Sequence, residues 1–159
     1  MGKAVALFTS AIVFVVLMIV QGVIAIDFSR HVDGHLQRAA NANQIGLART
    51  ELQTAINYLE QNNMTTGYTS VLYRTPDEDI GYWYQNLKEA IKDLDTVEET
   101  ASPLERSNVL IKLRETITDE DHVIVPNGIS RYPNNTTWAF FSLLSLAIAG
   151  VCLLAIEFD

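Results

Sequence analysis

Hydrophobic positions take two forms along this chain. In Ala4–Ile26 (AVALFTSAIVFVVLMIVQGVIAI) and Trp138–Ile156 (WAFFSLLSLAIAGVCLLAI) they are almost unbroken. Between these runs they recur three and four residues apart, with polar residues in the gaps. The first run holds 23 residues. As a helix it rises about 34 Å at ~1.5 Å per residue, enough to cross the hydrocarbon core of a bilayer. Its polar groups are Thr9, Ser10 and Gln21. Val23-Ile24-Ala25 resembles a signal-peptidase site, but the apolar stretch is longer than the about 7–15 residues of a signal core, so it reads as a retained span. The second run, 19 residues, opens on Trp138, whose ring suits the headgroup layer. Asn134-Asn135-Thr136-Thr137 ahead of it supply capping oxygens. Only Glu157, Phe158 and Asp159 follow. Both termini are therefore expected on one side, with the segment from Asp27 to Asn135 on the other.

Within residues 27–135 the 3–4 periodicity predicts three helices, over about 28–61, 76–98 and 103–118. The first continues out of the membrane. It carries Val32, Leu36, Ala39 and Ala40, then Leu52, Ala55, Ile56 and Leu59, and ends at the polar loop Asn62–Thr66 and Gly67. Thr75-Pro76-Asp77-Glu78 reads as a capping box before a stripe of Ile80, Tyr84, Leu87, Ile91 and Leu94. Ser102-Pro103-Leu104-Glu105 repeats the start signal, and Leu104, Leu110, Leu113 and Ile117 mark an inner face. Three helices that rise, fall and rise leave the chain far from the second span. Residues 119–135, with Val123-Ile124-Val125 and Pro126-Asn127-Gly128, are then expected to return in extended form or as a small hairpin. The predicted fold class is mostly α: a transmembrane helical hairpin (4–26 and 138–156) carrying an extramembrane antiparallel helical bundle.

Charge sharpens this division. Residues 27–135 contain 17 of the 19 acids and 10 of the 11 bases. Their net charge of about −7 excludes a phosphate backbone as partner. Lys3 and the α-amino group precede the first span, while Asp27, Arg30, Asp33 and Arg38 after it cancel; Arg131 pulls the other way. Since the first helix usually dominates orientation, cytoplasmic termini and a periplasmic or lumenal middle domain are expected. Cys152, the lone cysteine, lies within the second span and has no intrachain partner. Neither a myristoylation nor a prenylation signal is present.

Candidate chemistry is sparse. Asp27, His31 and His35 are spaced four apart and would share a helix face, a geometry for a divalent metal; they are equally interfacial polar residues or a pH-responsive patch. Tyr68, Tyr73, Tyr82 and Trp83 crowd one region and could form a partner or ligand surface, or a packed aromatic cap. Asp119-Glu120-Asp121 reads as a solvated acidic turn, and Asn63-Met64-Thr65 and Asn134-Asn135-Thr136 match glycosylation sequons. Small residues Gly2, Ala6 and Ser10 in the first span, and Ser142, Ser145 and Ala149 in the second, permit close helix approach within the hairpin or between chains. No cofactor motif or catalytic triad order is present.

The run Tyr58–Gly81 (YLEQNNMTTGYTSVLYRTPDEDIG), together with Ser107–Glu115 (SNVLIKLRE) and Pro126–Ile129 (PNGI), resembles a stretch shared by uncharacterised cyanobacterial two-transmembrane-helix membrane proteins. The resemblance implies a prokaryotic plasma or thylakoid membrane, where the sequons carry no meaning, and brings no activity with it. The expected function is a non-enzymatic accessory or scaffold subunit without cofactors. Its partners would be membrane lipid and either further copies of itself or other membrane subunits. A ligand-sensing module working through a separate signalling partner is the alternative. An oligomeric pore is third, since no charge lies in either span.

Overall fold

The computed structural model describes residues 2–97, 101–120 and 122–157. Asp121 of the acidic turn, the end of the 76–98 helix and the last two residues fall outside that range. The chain is mostly helical, and two of its helices are long and apolar enough to cross a membrane. The first helix runs from Gly2 to Ala40 without interruption: α1 (Gly2–Phe28), a π-helical turn (Ser29–Asp33) and α2 (Gly34–Ala40). Phe28, Asp33 and Gly34 all keep right-handed helical dihedrals through the join. The Gly34 N–H donates to the Ser29 carbonyl five residues back, which widens the turn. Residues four apart advance by about 40° on a regular α-helix. The wider turn reduces that drift, and Phe28, Val32 and Leu36 stay buried together.

The helix expected over 28–61 is broken. Asn41-Ala42-Asn43-Gln44 stops α2, and Gln44 is extended, with φ −134°. The two asparagines favour turns over helix interiors, and the sequence periodicity on either side of them concealed the break. α3 (Ile45–Gln61) then runs back alongside α2 and the end of α1. The Tyr58 hydroxyl donates to Asp27 at 2.8 Å, and His35 Nδ1 meets Glu51 at 2.7 Å, which fixes the pair as antiparallel.

Helix α4 (Ile80–Thr96) reverses again. Its Tyr84 bonds Glu60 at 2.6 Å near one end, and its Asp95 pairs with Arg49 at 2.6 Å near the other. The capping box expected at Thr75 is replaced by a 3₁₀ turn, Pro76–Glu78, in which the Thr75 hydroxyl bonds the Glu78 carboxylate at 2.5 Å. The α-helix starts later, capped by Asp79, which accepts from the Tyr82 N–H at 3.0 Å. Helix α5 (Pro103–Ile117) is capped as expected, Ser102 accepting from the Glu105 N–H at 3.2 Å. Lys112 reaches Asp93 at 2.6 Å, and Arg114 donates to the Ala40 carbonyl at 2.9 Å.

Helices α2 to α5 therefore make four passes, not three. The last runs back toward α6 (Asn135–Glu157), so no long extended return is required. A small hairpin, one of the two expected forms, begins the return: β1 (Thr118–Asp119) pairs antiparallel with β2 (His122–Val123), and a 3₁₀ turn, Ile129–Arg131, leads into α6. Val32, Leu36, Leu52, Ile56, Leu59, Ile80, Leu87, Leu94 and Ile117 are fully buried in one core. Leu113 joins them, but Leu104, expected on the inner face of α5, is 71% exposed. The first half of α5 projects past the core.

Candidate functional site

α1 and α6 pack along their length. Among their less exposed positions, Leu7, Ser10, Phe14, Leu17, Gln21, Ile24 and Phe28 on one helix and Asn135, Trp138, Ser142, Ser145, Ala149 and Cys152 on the other fall at alternating spacings of three and four. That is the seam of a two-stranded antiparallel coil. Ser10 and Ser145 are buried in it, and each hydroxyl returns to its own helix, on the Leu7 carbonyl (3.0 Å) and the Ser142 carbonyl (2.9 Å). The small-residue faces expected from the sequence thus meet each other within the chain around Ser10 and Ser145, while Gly2 stays exposed. Elsewhere the two helices are bare: only 6% of each apolar window is buried.

Where α6 begins, the loop between α3 and α4 comes down against this pair. Its neck is held by Tyr68 and Asp79 bridging, by Ile80 N–H to Gly67 carbonyl (2.9 Å), and by Thr69 N–H to Glu78 carbonyl (3.0 Å). Gly67 has φ +102°, a conformation that a side chain strains, and a Cβ there would run into the Tyr132 hydroxyl. The tip, Val71-Leu72-Tyr73, is apolar and open, with Leu72 85% exposed.

Between loop, α1 and α6 lies a cleft of about 830 Å³. Gln21, Thr69, Glu78, Arg131 and Asn135 line its polar part; Phe14, Met18, Val71, Leu72, Trp138, Ala139 and Leu143 line the apolar part. The Asn135 amide donates to the Thr69 carbonyl at 2.5 Å and Arg131 reaches Gln21 at 3.4 Å. Thr69 is 4% exposed, yet its Oγ1 has no hydrogen-bond partner among the described residues, nor has Asn135 Oδ1. Buried polar atoms of this kind are uncommon, because each costs about 1–3 kcal/mol. Asn135 was legible only as a cap and Thr69 gave no sequence signal, since the contact joins residues 66 apart.

Two other expected sites resolve differently. Asp27 and His31 stay together, with His31 Nδ1 2.9 Å from the Asp27 carbonyl and the ring stacked on Tyr58 at 5.0 Å. His35 turns instead to Glu51 and to Arg38, whose Nη2 also lies 2.7 Å from its Nδ1. The triad Asp27, His31 and His35 does not form, and no group of three metal-ligating side chains occurs among the described residues. The aromatic cluster also divides. Trp83 is buried and donates to the Ile124 carbonyl at 2.8 Å, a packing role, while Tyr84 sits at the core's edge. Tyr82 is 68% exposed and shares a shallow groove with Tyr68, whose ring carries Arg74 at 5.3 Å. Tyr73 belongs to the loop tip.

The ionisable groups outside the apolar pair hold the passes in register. Burial raises the Tyr58 phenol, and the hydrogen bond and charge of Asp27 raise it further, to about 12; Tyr84 is pushed to about 12 by burial and then Glu60. Burial lifts the Glu51 carboxyl, but hydrogen bonds from His35 and Arg38 outweigh it and leave the group below its ordinary value. Burial raises Asp33, opposed by a bond from Ser29.

Compared with protein families, curated proteins and solved structures, the chain matches none.

Proposed function

We propose that the chain is a two-pass membrane protein in which α1 and α6 form a transmembrane hairpin and α2 to α5 an antiparallel bundle standing on it. It serves as a non-enzymatic accessory or scaffold subunit, in a prokaryotic plasma or thylakoid membrane. The observation that carries this reading is the near-complete exposure of two helices that are apolar all round apart from a narrow seam. A helix of that kind is solvated by lipid or by other apolar helices. With the Ser10 and Ser145 seam used inside the hairpin, subunit contacts fall to the outward faces of the spans and to the projecting half of α5, where Leu104 and Ile111 are exposed. The bundle lies on the periplasmic or lumenal side; Lys3, ahead of the apolar run Ala4–Ile26, supports this, since the first helix usually dominates orientation.

A carbonate wash of source membranes followed by mild-detergent extraction and intact-mass measurement tests the proposal. The chain is expected to resist the wash and to migrate in a particle larger than its own monomer. Release by carbonate refutes membrane insertion, and a monodisperse monomer without partners refutes the scaffold role. The cleft beside α6 favours the second reading, a ligand-responsive module, which that last outcome would leave standing.

A further inference from the structure

The cleft beside the start of α6 combines features that belong together only if an amphiphile occupies it. Among the described residues, Thr69 Oγ1 is buried without a partner and can donate or accept; Asn135 Oδ1 is also without one and can only accept. Arg131 lines the same wall, and among the described residues its guanidinium hydrogen-bonds Gln21 rather than a carboxylate. Asn135, the first residue of the 23-residue α6, brings a helix N-terminus to the same lining. Below this polar end, Phe14, Met18 and Leu143 continue the cleft along the apolar flank of the two helices, where Met18 and Leu143 are exposed. Glu78, tied to the Thr75 hydroxyl, is the acid on the lining, so an anion with more than one charge is disfavoured there.

We propose that this cleft holds one anionic lipid of the surrounding bilayer, its singly charged phosphodiester against Arg131 and Thr69, a head-group hydroxyl donating to Asn135, and its acyl chains along the exposed apolar flank of α1 and α6. The proposal rests on the two-pass reading above. Charge complementarity selects the anion, the acceptor-only Asn135 oxygen selects a hydroxylated head, and the apolar continuation selects a lipid over a free phosphate.

The test is native mass spectrometry of the full chain released from nanodiscs of equal phosphatidylglycerol and phosphatidylcholine. One phosphatidylglycerol is expected to be retained with a preference of up to about tenfold, the scale of one hydrogen bond from its glycerol hydroxyl to Asn135, since phosphatidylcholine shares the phosphodiester but its choline has no donor. Arg131→Gln is expected to lower retention of the lipid, because it removes the cation that holds the phosphodiester, and Arg131→Lys to restore part of it. Thr69→Val keeps the side chain's shape; it is expected to weaken retention, whereas at a site without a lipid it would raise the melting temperature and leave retention unchanged. Equal retention of both lipids, or indifference to both Arg131→Gln and Thr69→Val, overturns the proposal. Displacement of the lipid by millimolar glycerol phosphate also overturns it in favour of a soluble anion. Release of the chain by carbonate would mark a failure of the two-pass reading instead.

Discussion

At the scale of single residues, the junction between the domain and its two apolar helices depends on positions that tolerate little change. Gly67 is one, and Gly67→Ala is expected to lower stability by about 1–3 kcal/mol, read as a drop in melting temperature, because it combines a positive φ with a clash against Tyr132. Trp83→Phe should cost about 1 kcal/mol through the lost bond to Ile124, while Tyr82→Ala should leave the melt unchanged. Titration has a definite sign on both flanks. Glu51 is depressed in the folded chain, so its contribution is present above its ordinary pKa of 4.5 and disappears as pH falls through the lower folded value. Tyr58 and Tyr84 are raised, so theirs is complete below 10 and is lost as pH climbs toward about 12. Melting curves in the acid limb should flatten in Glu51→Gln, and those in the alkaline limb in a Tyr58→Phe/Tyr84→Phe double variant. Unaltered limbs would show that these pairs do not couple to folding.

Among the elements, stability is unevenly distributed. Leu87 is fully buried at the centre of α4, and Leu87→Ala is expected to cost about 2–5 kcal/mol in denaturant unfolding. Ser145→Leu places a large side chain where α1 and α6 touch. It is expected to open the seam and expose the N-terminal half of α1 to cysteine labelling at an introduced Ala6→Cys. The helix stripes were legible in the sequence because Leu52, Ala55, Ile56 and Leu59, or Leu87, Ile91 and Leu94, are spaced by the geometry of one helix. Their connections were not. Two periodic stripes joined by Asn41-Ala42-Asn43-Gln44 read as one long helix, since nothing local reports that the second stripe faces back onto the first. The start of α4 was misplaced for a related reason: Thr75-Pro76 and Asp79 both carry capping chemistry, and which of them opens the helix is settled by the loop's bonds to Gly67 and Thr69.

For the whole molecule, the folded-back α3 brings the loop at residues 62–79 to the same end as the start of α6, and that juxtaposition builds the cleft. A chain with three passes would have placed it at the far end. The cleft was therefore hidden from any reading of neighbouring residues, whereas the paired apolar helices were plain in the two hydrophobic runs. The unbroken helix from Gly2 to Ala40 has a further consequence. It joins the seam to the core without a hinge, so twist applied at one end has no flexible link in which to dissipate. The π-turn at Ser29–Asp33 sets the phase between the two ends, as a key fixes a gear on its shaft. Removing one residue there would turn everything above it by about 100° relative to everything below. The domain's heading relative to the two apolar helices is thus encoded in the length of five residues rather than in the many contacts on either side of them.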